Sequence, residues 1–157
     1  MLGHSFPTRR SSDLFAPNLA LKDGQTLQRP VVGTIARGQQ PFHFGAGEGE
    51  AIRAGVALSN PLPATPDTLD DGRGLFQIYC VVCHGPSGKG DGPLAGKIPP
   101  PPDYRSERVQ AFASGRMFHV LTSGSGKMPS YAGLLSPEER WKVIAYVQTR
   151  LQGKVAR

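Results

Sequence analysis

The run Cys80-Val81-Val82-Cys83-His84 constrains this chain more than any other segment. It holds the only 2 cysteines. Cysteines this close in sequence cannot staple a domain, so a disulfide scaffold is excluded. A thioredoxin-like redox pair has the same spacing, but it opens a helix in a strand-helix-strand setting. Here the motif follows a helical pattern and no such alternation exists. Structural zinc needs further ligands, usually a second cysteine pair or a histidine pair. His4, His43 and His119 are scattered instead. The remaining chemistry is covalent haem attachment: the thiols of Cys80 and Cys83 add across the two vinyl groups, and the His84 imidazole reaches the iron.

Methionine and histidine are the usual ligands on the opposite face of such an iron. Met1 is an initiator or artefact. Met117 falls in a helical apolar pattern, where a core methionine is the simpler reading. Met128 sits in Gly126-Lys127-Met128-Pro129-Ser130-Tyr131, a loop between helices that Pro129 stiffens. Met128 is therefore the expected sixth ligand, with Met117 and His119 as alternatives. A thioether favours ferrous iron, so a fairly high potential is expected. The proximal imidazole needs a carbonyl for its other N–H. The rigid run Ile98 to Pro102 is expected to supply it.

Helix signals lie on both sides of the motif. Thr65 can cap, Pro66 suits a first turn, and Asp67, Asp70 and Asp71 favour a helix N-terminus. Leu69, Phe76 and Tyr79 carry that helix to about Cys80. Gly72 and Phe76 share the face of Cys80 at helical spacing. A glycine there admits a second helix closely, with Tyr146 as the expected partner. Residues 85–104 read as loop, including four stiff prolines from Pro99 to Pro102. A short helix is expected over 114–122, ended by Gly124. Ser136, Pro137 and Glu139 then form a capping box before a broad apolar face containing Trp141, Ile144 and Val147. The fold class is therefore all-α, with three to four helices around one haem.

Residues 15–64 are broken by many glycines and prolines, among them Pro17, Gly24, Pro30, Gly33 and Pro61. They are expected to form an irregular extension without its own core. The mono-haem domain is then 65–157. The start is of another kind: His4 to Leu14 reads HSFPTRRSSDL, the peptide that a common sequencing-adapter oligonucleotide encodes. Residues 1–14 are accordingly expected to be a disordered translation artefact. A true leader or lipid anchor would be missing with the native start. Hydrophobic residues make up 38% of the 157, and no run approaches the roughly 18 that a spanning helix needs. The net charge of +6 is scattered, without the aromatic-basic stripe of a nucleic-acid binder.

Gly72-x-x-x-Phe76-x-x-x-Cys80-x-x-Cys83-His84, then Met128-Pro129, then Trp141 and Tyr146, resemble class I cytochrome c over 65–157. The run Arg29 to Gly38, together with Asn60-Pro61-Leu62-Pro63, Met128 to Tyr131 and Glu139-Arg140-Trp141, resembles the mono-haem cytochrome c subunit of alternative complex III. Val32 departs from the proline usual there. That resemblance implies electron transfer through a single covalent haem c, without substrate chemistry of the chain's own. It also implies a place in a membrane-bound quinol-oxidising respiratory complex, on the periplasmic side of the bacterial inner membrane. Its partners would be other subunits, a neighbouring multihaem cytochrome, and a terminal oxidase or soluble cytochrome acceptor. Membrane association would come through partners or the missing anchor. The extension 15–64 would be a strap lying along neighbouring subunits. A free periplasmic carrier, or a cytochrome domain of another oxidase, needs no such arm. A haem enzyme such as a peroxidase needs an open iron position, which Met128 would close.

Overall fold

The structure, a computed structural model, describes residues 16–28, 31–35 and 41–154. Residues 1–14, expected to be an artefact, lie outside the described residues, as does part of the run Arg29 to Gly38. The chain divides into two compact units, Met1–Phe42 and His43–Arg157.

In the first unit, no helix is found among the described residues. Local turns hold it together. The Asn18 N–H donates to the Gly24 carbonyl at 2.9 Å, and the Thr26 hydroxyl to the Ala16 carbonyl at 2.5 Å. Several of its apolar side chains face outward: Leu19 is 97% exposed and Val32 99%.

The second unit is helical, and no strand occurs among its described residues. Its helices are α1 (Glu48–Ala57), α2 (Pro66–Tyr79), α3 (Val81–His84), α4 (Glu107–Gln110), α5 (Ser114–Ser123) and α6 (Pro137–Tyr146), the last running on into a π turn, Val147–Leu151. The architecture is a class I cytochrome c fold. The local signals act as expected. The Thr65 hydroxyl accepts from the Thr68 N–H at 3.2 Å, with Pro66 in the first turn of α2. At α6 the capping box is complete: Glu139 N–H donates to the Ser136 hydroxyl, and the Glu139 carboxylate accepts from the Ser136 N–H at 2.7 Å.

Helices α2 and α6 cross at Gly72. A Cβ there would stand 2.2 Å from the Lys142 carbonyl oxygen and 3.0 Å from the Tyr146 Cβ, so only glycine allows this approach. Phe76, 1% exposed, fills the crossing, its ring 5.5 Å from that of Tyr146. Trp141 of α6 stacks on Phe118 of α5 at 4.1 Å, and the Arg140 guanidinium covers the same Phe118 ring. Arg140 also donates to the Thr122 hydroxyl, tying α6 to the end of α5.

The structure corrects the expectation for 15–64. Residues 48–57 form helix α1, and the compact unit begins at His43 rather than Thr65. Ala51 and Ala54 are buried where α1 packs against α5. The physical reason is small-residue packing. Gly115 of α5 sits where a Cβ would be 2.2 Å from the Ala54 carbonyl oxygen and 2.5 Å from that of Leu58. Asn60 then fastens the end of this segment, its amide donating to the Trp141 carbonyl at 3.0 Å and its N–H to the Ser114 hydroxyl at 3.2 Å.

Candidate functional site

Cys80 both ends α2 and begins α3. Its N–H donates to the Phe76 carbonyl at 2.9 Å, and its own carbonyl accepts from the His84 N–H at 2.9 Å. One turn of helix thus puts Cys80, Cys83 and His84 on neighbouring faces. Both thiols are free. Burial, reinforced by the neighbouring Cys83, pushes the Cys80 thiol up to about 12. Burial alone lowers the His84 imidazole to about 4, so it is neutral at neutral pH.

The glycine-rich loop after His84 folds back over this turn. Gly90 N–H donates to the His84 carbonyl at 2.9 Å, Gly92 N–H to that of Cys83 at 3.3 Å, and Leu94 N–H to that of Val82 at 3.0 Å. These bonds occupy the carbonyls that a short helix leaves open at its C-terminus. The approach is close enough that a Cβ on Gly92 would meet the Val81 carbonyl oxygen at 2.4 Å.

The expected carbonyl for the His84 ring is not found. His84 Nδ1 is buried without a hydrogen-bond partner. In the proline run, the Pro101 carbonyl oxygen faces Gly90, 2.3 Å from where a Cβ would stand. Proline stiffens the backbone but does not aim its oxygen. The His84 ring instead stacks on Tyr104, with centroids 4.8 Å apart and planes 18° apart. Tyr104 is the residue that sequence reasoning missed. The signal for it was weak: an aromatic two residues after the prolines, held by its N–H donating to the Gly88 carbonyl at 2.9 Å.

Met128 is half-buried and sits at the end of a tight turn. Its N–H and carbonyl pair with the carbonyl and N–H of Ser125, both at 2.9 Å. Three bonds hang this loop between its neighbours. Tyr131 N–H donates to the Leu121 carbonyl at 2.8 Å, the Ser130 hydroxyl to that of Thr122 at 2.6 Å, and the Tyr131 phenol to that of Tyr79 at 3.2 Å. The last brings the Met128 loop to the residue beside Cys80. Tyr104 and Tyr131 are both raised by burial first, then by the nearby Cys80 and Cys83 thiols, so both phenols stay protonated beside the cysteines. Of the alternatives to Met128, Met117 is half-buried on α5. His119 is 1% exposed, and its Nε2 lies 2.7 Å from the Gly45 carbonyl oxygen. Among the described residues, no cluster of three or more His, Cys, Asp and Glu side chains could hold a metal ion alone.

No curated protein matches the chain. Solved structures similar to it include the reducing HAO-like protein complex Kustc0457/Kustc0458 of Kuenenia stuttgartiensis, at 28% identity and TM-score 0.49 over 59% of this chain. The chain spans 48% of the length of that one. The KustC0563 c-type cytochrome matches at 22% identity and TM-score 0.42, over 52% of this chain and 94% of its own. Cytochrome cL of Methylophaga aminisulfidivorans matches at 19% identity and TM-score 0.45, over 68% of this chain and 71% of its own. A family model described as cytochrome c oxidase, cbb3-type, subunit III matches residues 67–147, from the first turn of α2 to the end of α6. The chain belongs to this family of cytochrome c domains, whose work is haem-based electron transfer.

Proposed function

We propose that the chain carries one haem c, bonded through Cys80 and Cys83, with His84 and Met128 on the iron, and that it passes electrons within a membrane-bound quinol-oxidising complex facing the periplasm. The observation that carries the haem assignment is the single turn holding two free thiols and a neutral, buried imidazole. The residues fit the group. The thiols are unpaired and available for thioethers, and His84 Nδ1 is not engaged in a hydrogen bond with the rest of the chain. Bound there, haem supplies a one-electron ferric/ferrous couple. The rest is done by the chain. Burial keeps His84 unprotonated, so its lone pair is free for a metal. The Ser125–Met128 turn and Pro129 hold a thioether in a fixed loop. The phenols of Tyr104 and Tyr131, raised by burial and by the nearby cysteines, stay uncharged beside them.

Acid-acetone extraction should leave haem on the wild type and none on the Cys80→Ala/Cys83→Ala double variant. Met128→Ala should abolish the sulfur-to-iron charge-transfer band of the ferric protein and lower the potential. If Met117→Ala does so instead, the ligand assignment is wrong.

Membership of a complex rests on the resemblance to the alternative complex III subunit and on the outward-facing Leu19, Leu27, Val31 and Val32 of the first unit, which suit a strap on other subunits. With α1 packed on α5, this strap reading narrows to residues 15–42. A free periplasmic carrier is the second reading, favoured by that same packing of α1, which shortens the arm. Purification of tagged chain from solubilised membranes tests the choice. Associated respiratory subunits, lost on deleting residues 15–42 while haem is kept, support the first. Recovery of the chain alone in the soluble periplasmic fraction supports the second.

A further inference from the structure

The segment 43–60 lies outside the family match and outside the proposed haem contacts, yet it is tied to α5 along its whole length. Its start is held by His119, whose Nε2 meets the Gly45 carbonyl at 2.7 Å. Its first helical turn is held by the ion pair of Glu48 with Arg116. Its middle is held by Ala51 and Ala54, 3% and 0% exposed, with the Ala54 carbonyl set against Gly115. Its end is held by Asn60 on Ser114 and Trp141.

Helix α5 is also what the Met128 loop hangs from. Leu121 and Thr122, in its last turn, accept the Tyr131 N–H and Ser130 hydroxyl that anchor the loop. His119 stands one turn earlier, with its ring turned to the extension. The two structures it separates face a common cavity of about 470 Å³: Gly47, Glu48 and Ala51 on one side, Met128 and Pro129 on the other, with His119 between. Anything that loosens the start of α1 therefore loosens the turn of helix that holds the loop.

We infer that residues 43–60 are an intramolecular brace for the ligand loop, with His119 as the positioning residue that couples the two. The inference rests on the reading of Met128 as the axial ligand. The brace bonds to no reacting atom. It sets how often the loop swings away from the iron. A side chain that lost the Gly45 contact would untie the start of this segment from α5, and the loop would open more often.

The test uses full-length ferric holoprotein and added imidazole, which binds only when the methionine has left the iron. His119→Leu should bind imidazole about twofold to tenfold faster than wild type, the size expected for the net loss of one hydrogen bond whose carbonyl water can reach. His119→Gln can still donate to Gly45 and should restore most of the slow rate. Glu48→Arg sets like charges against Arg116 from an exposed position on α1, so it should fold even if His119→Leu does not. It should speed binding about twofold to fivefold, in keeping with a surface pair. Val109→Ala, a core change on α4, should lower unfolding stability without changing the imidazole rate. The outcomes separate the two ideas. A wild type without the sulfur-to-iron band overturns the Met128 reading and the brace with it. A wild type with the band, whose His119→Leu and Glu48→Arg variants bind imidazole at the wild-type rate, overturns the brace alone. Equal acceleration by Val109→Ala would also overturn it, since the effect would then be general loosening.

Discussion

Two helix pairs in this molecule meet across a glycine, and they differ in what the glycine serves. In the α2–α6 pair, Gly72 lies against the backbone at Lys142, with Phe76 and Tyr146 packed beside it. In the α1–α5 pair, Gly115 lies against the carbonyls of Ala54 and Leu58, and the buried residues that α1 contributes are alanines. The first pair falls within the family match at 67–147, while α1 of the second lies before it. The α2–α6 crossing positions the cysteine turn directly, because Cys80 ends α2. The α1–α5 crossing acts at one remove, on the helix that carries the Met128 loop. The same backbone device thus supports a common core in one place and an addition in another.

Adding one methyl group to each glycine should break the two pairs unequally. Gly72→Ala should have the largest effect. Its Cβ would overlap backbone, not a flexible side-chain end, so α2 and α6 must separate. Overpacking of this kind costs about 3 kcal/mol or more, and with the haem core opened, little holoprotein should accumulate. Gly115→Ala meets backbone just as closely, but α1 can lift away and leave the core intact. Covalent haem should therefore be retained in full, with limited proteolysis newly cutting between residues 43 and 64. If Gly115→Ala also abolishes haem incorporation, α1 belongs to the folding core and the contrast between the pairs fails.

The contrast also explains what could be read from sequence. Helices α2 and α6 announce themselves locally, through Thr65 and Pro66 in one and Ser136, Pro137 and Glu139 in the other. Gly72 and Tyr146 were legible as a crossing because helical spacing puts Gly72 on the Cys80 face. Helix α1 has no such signals. Gly47 precedes it without a side-chain cap, Gly49 and Gly55 interrupt it, and its buried residues are only Ala51 and Ala54. Ile52 and Val56, its largest apolar side chains, face outward at 50% and 87% exposure. A helix of this kind is stabilised by tertiary packing and not by its own propensity. At the site, the cysteine turn is local and was legible, whereas the surroundings of His84 depend on chain far away. A run of prolines predicts a stiff segment but not where its carbonyls point, and so the Tyr104 stack was not foreseen.

The smallest expected effect concerns the start of α6, and it sharpens the comparison by being confined to one pair. Ser136→Ala removes one hydroxyl cap and should cost about 1 kcal/mol of stability. Its partner Glu139 is held below the usual carboxylate range, first by the hydrogen bond from the Ser136 N–H, and then by the Ser136 hydroxyl. A carboxyl whose folded value is depressed favours the folded state above its unfolded value, and that contribution is lost as pH falls through the folded one. The wild type should therefore lose a little stability on acidification through the carboxylate range that Glu139→Gln does not lose, since glutamine keeps the bond without titrating. Denaturant midpoints measured across that range check the difference. Because this cap is local and on the surface, neither Ser136→Ala nor Glu139→Gln should change the rate of imidazole binding. A faster rate in either would mean that the α2–α6 pair, and not the α1 brace alone, governs opening of the Met128 loop.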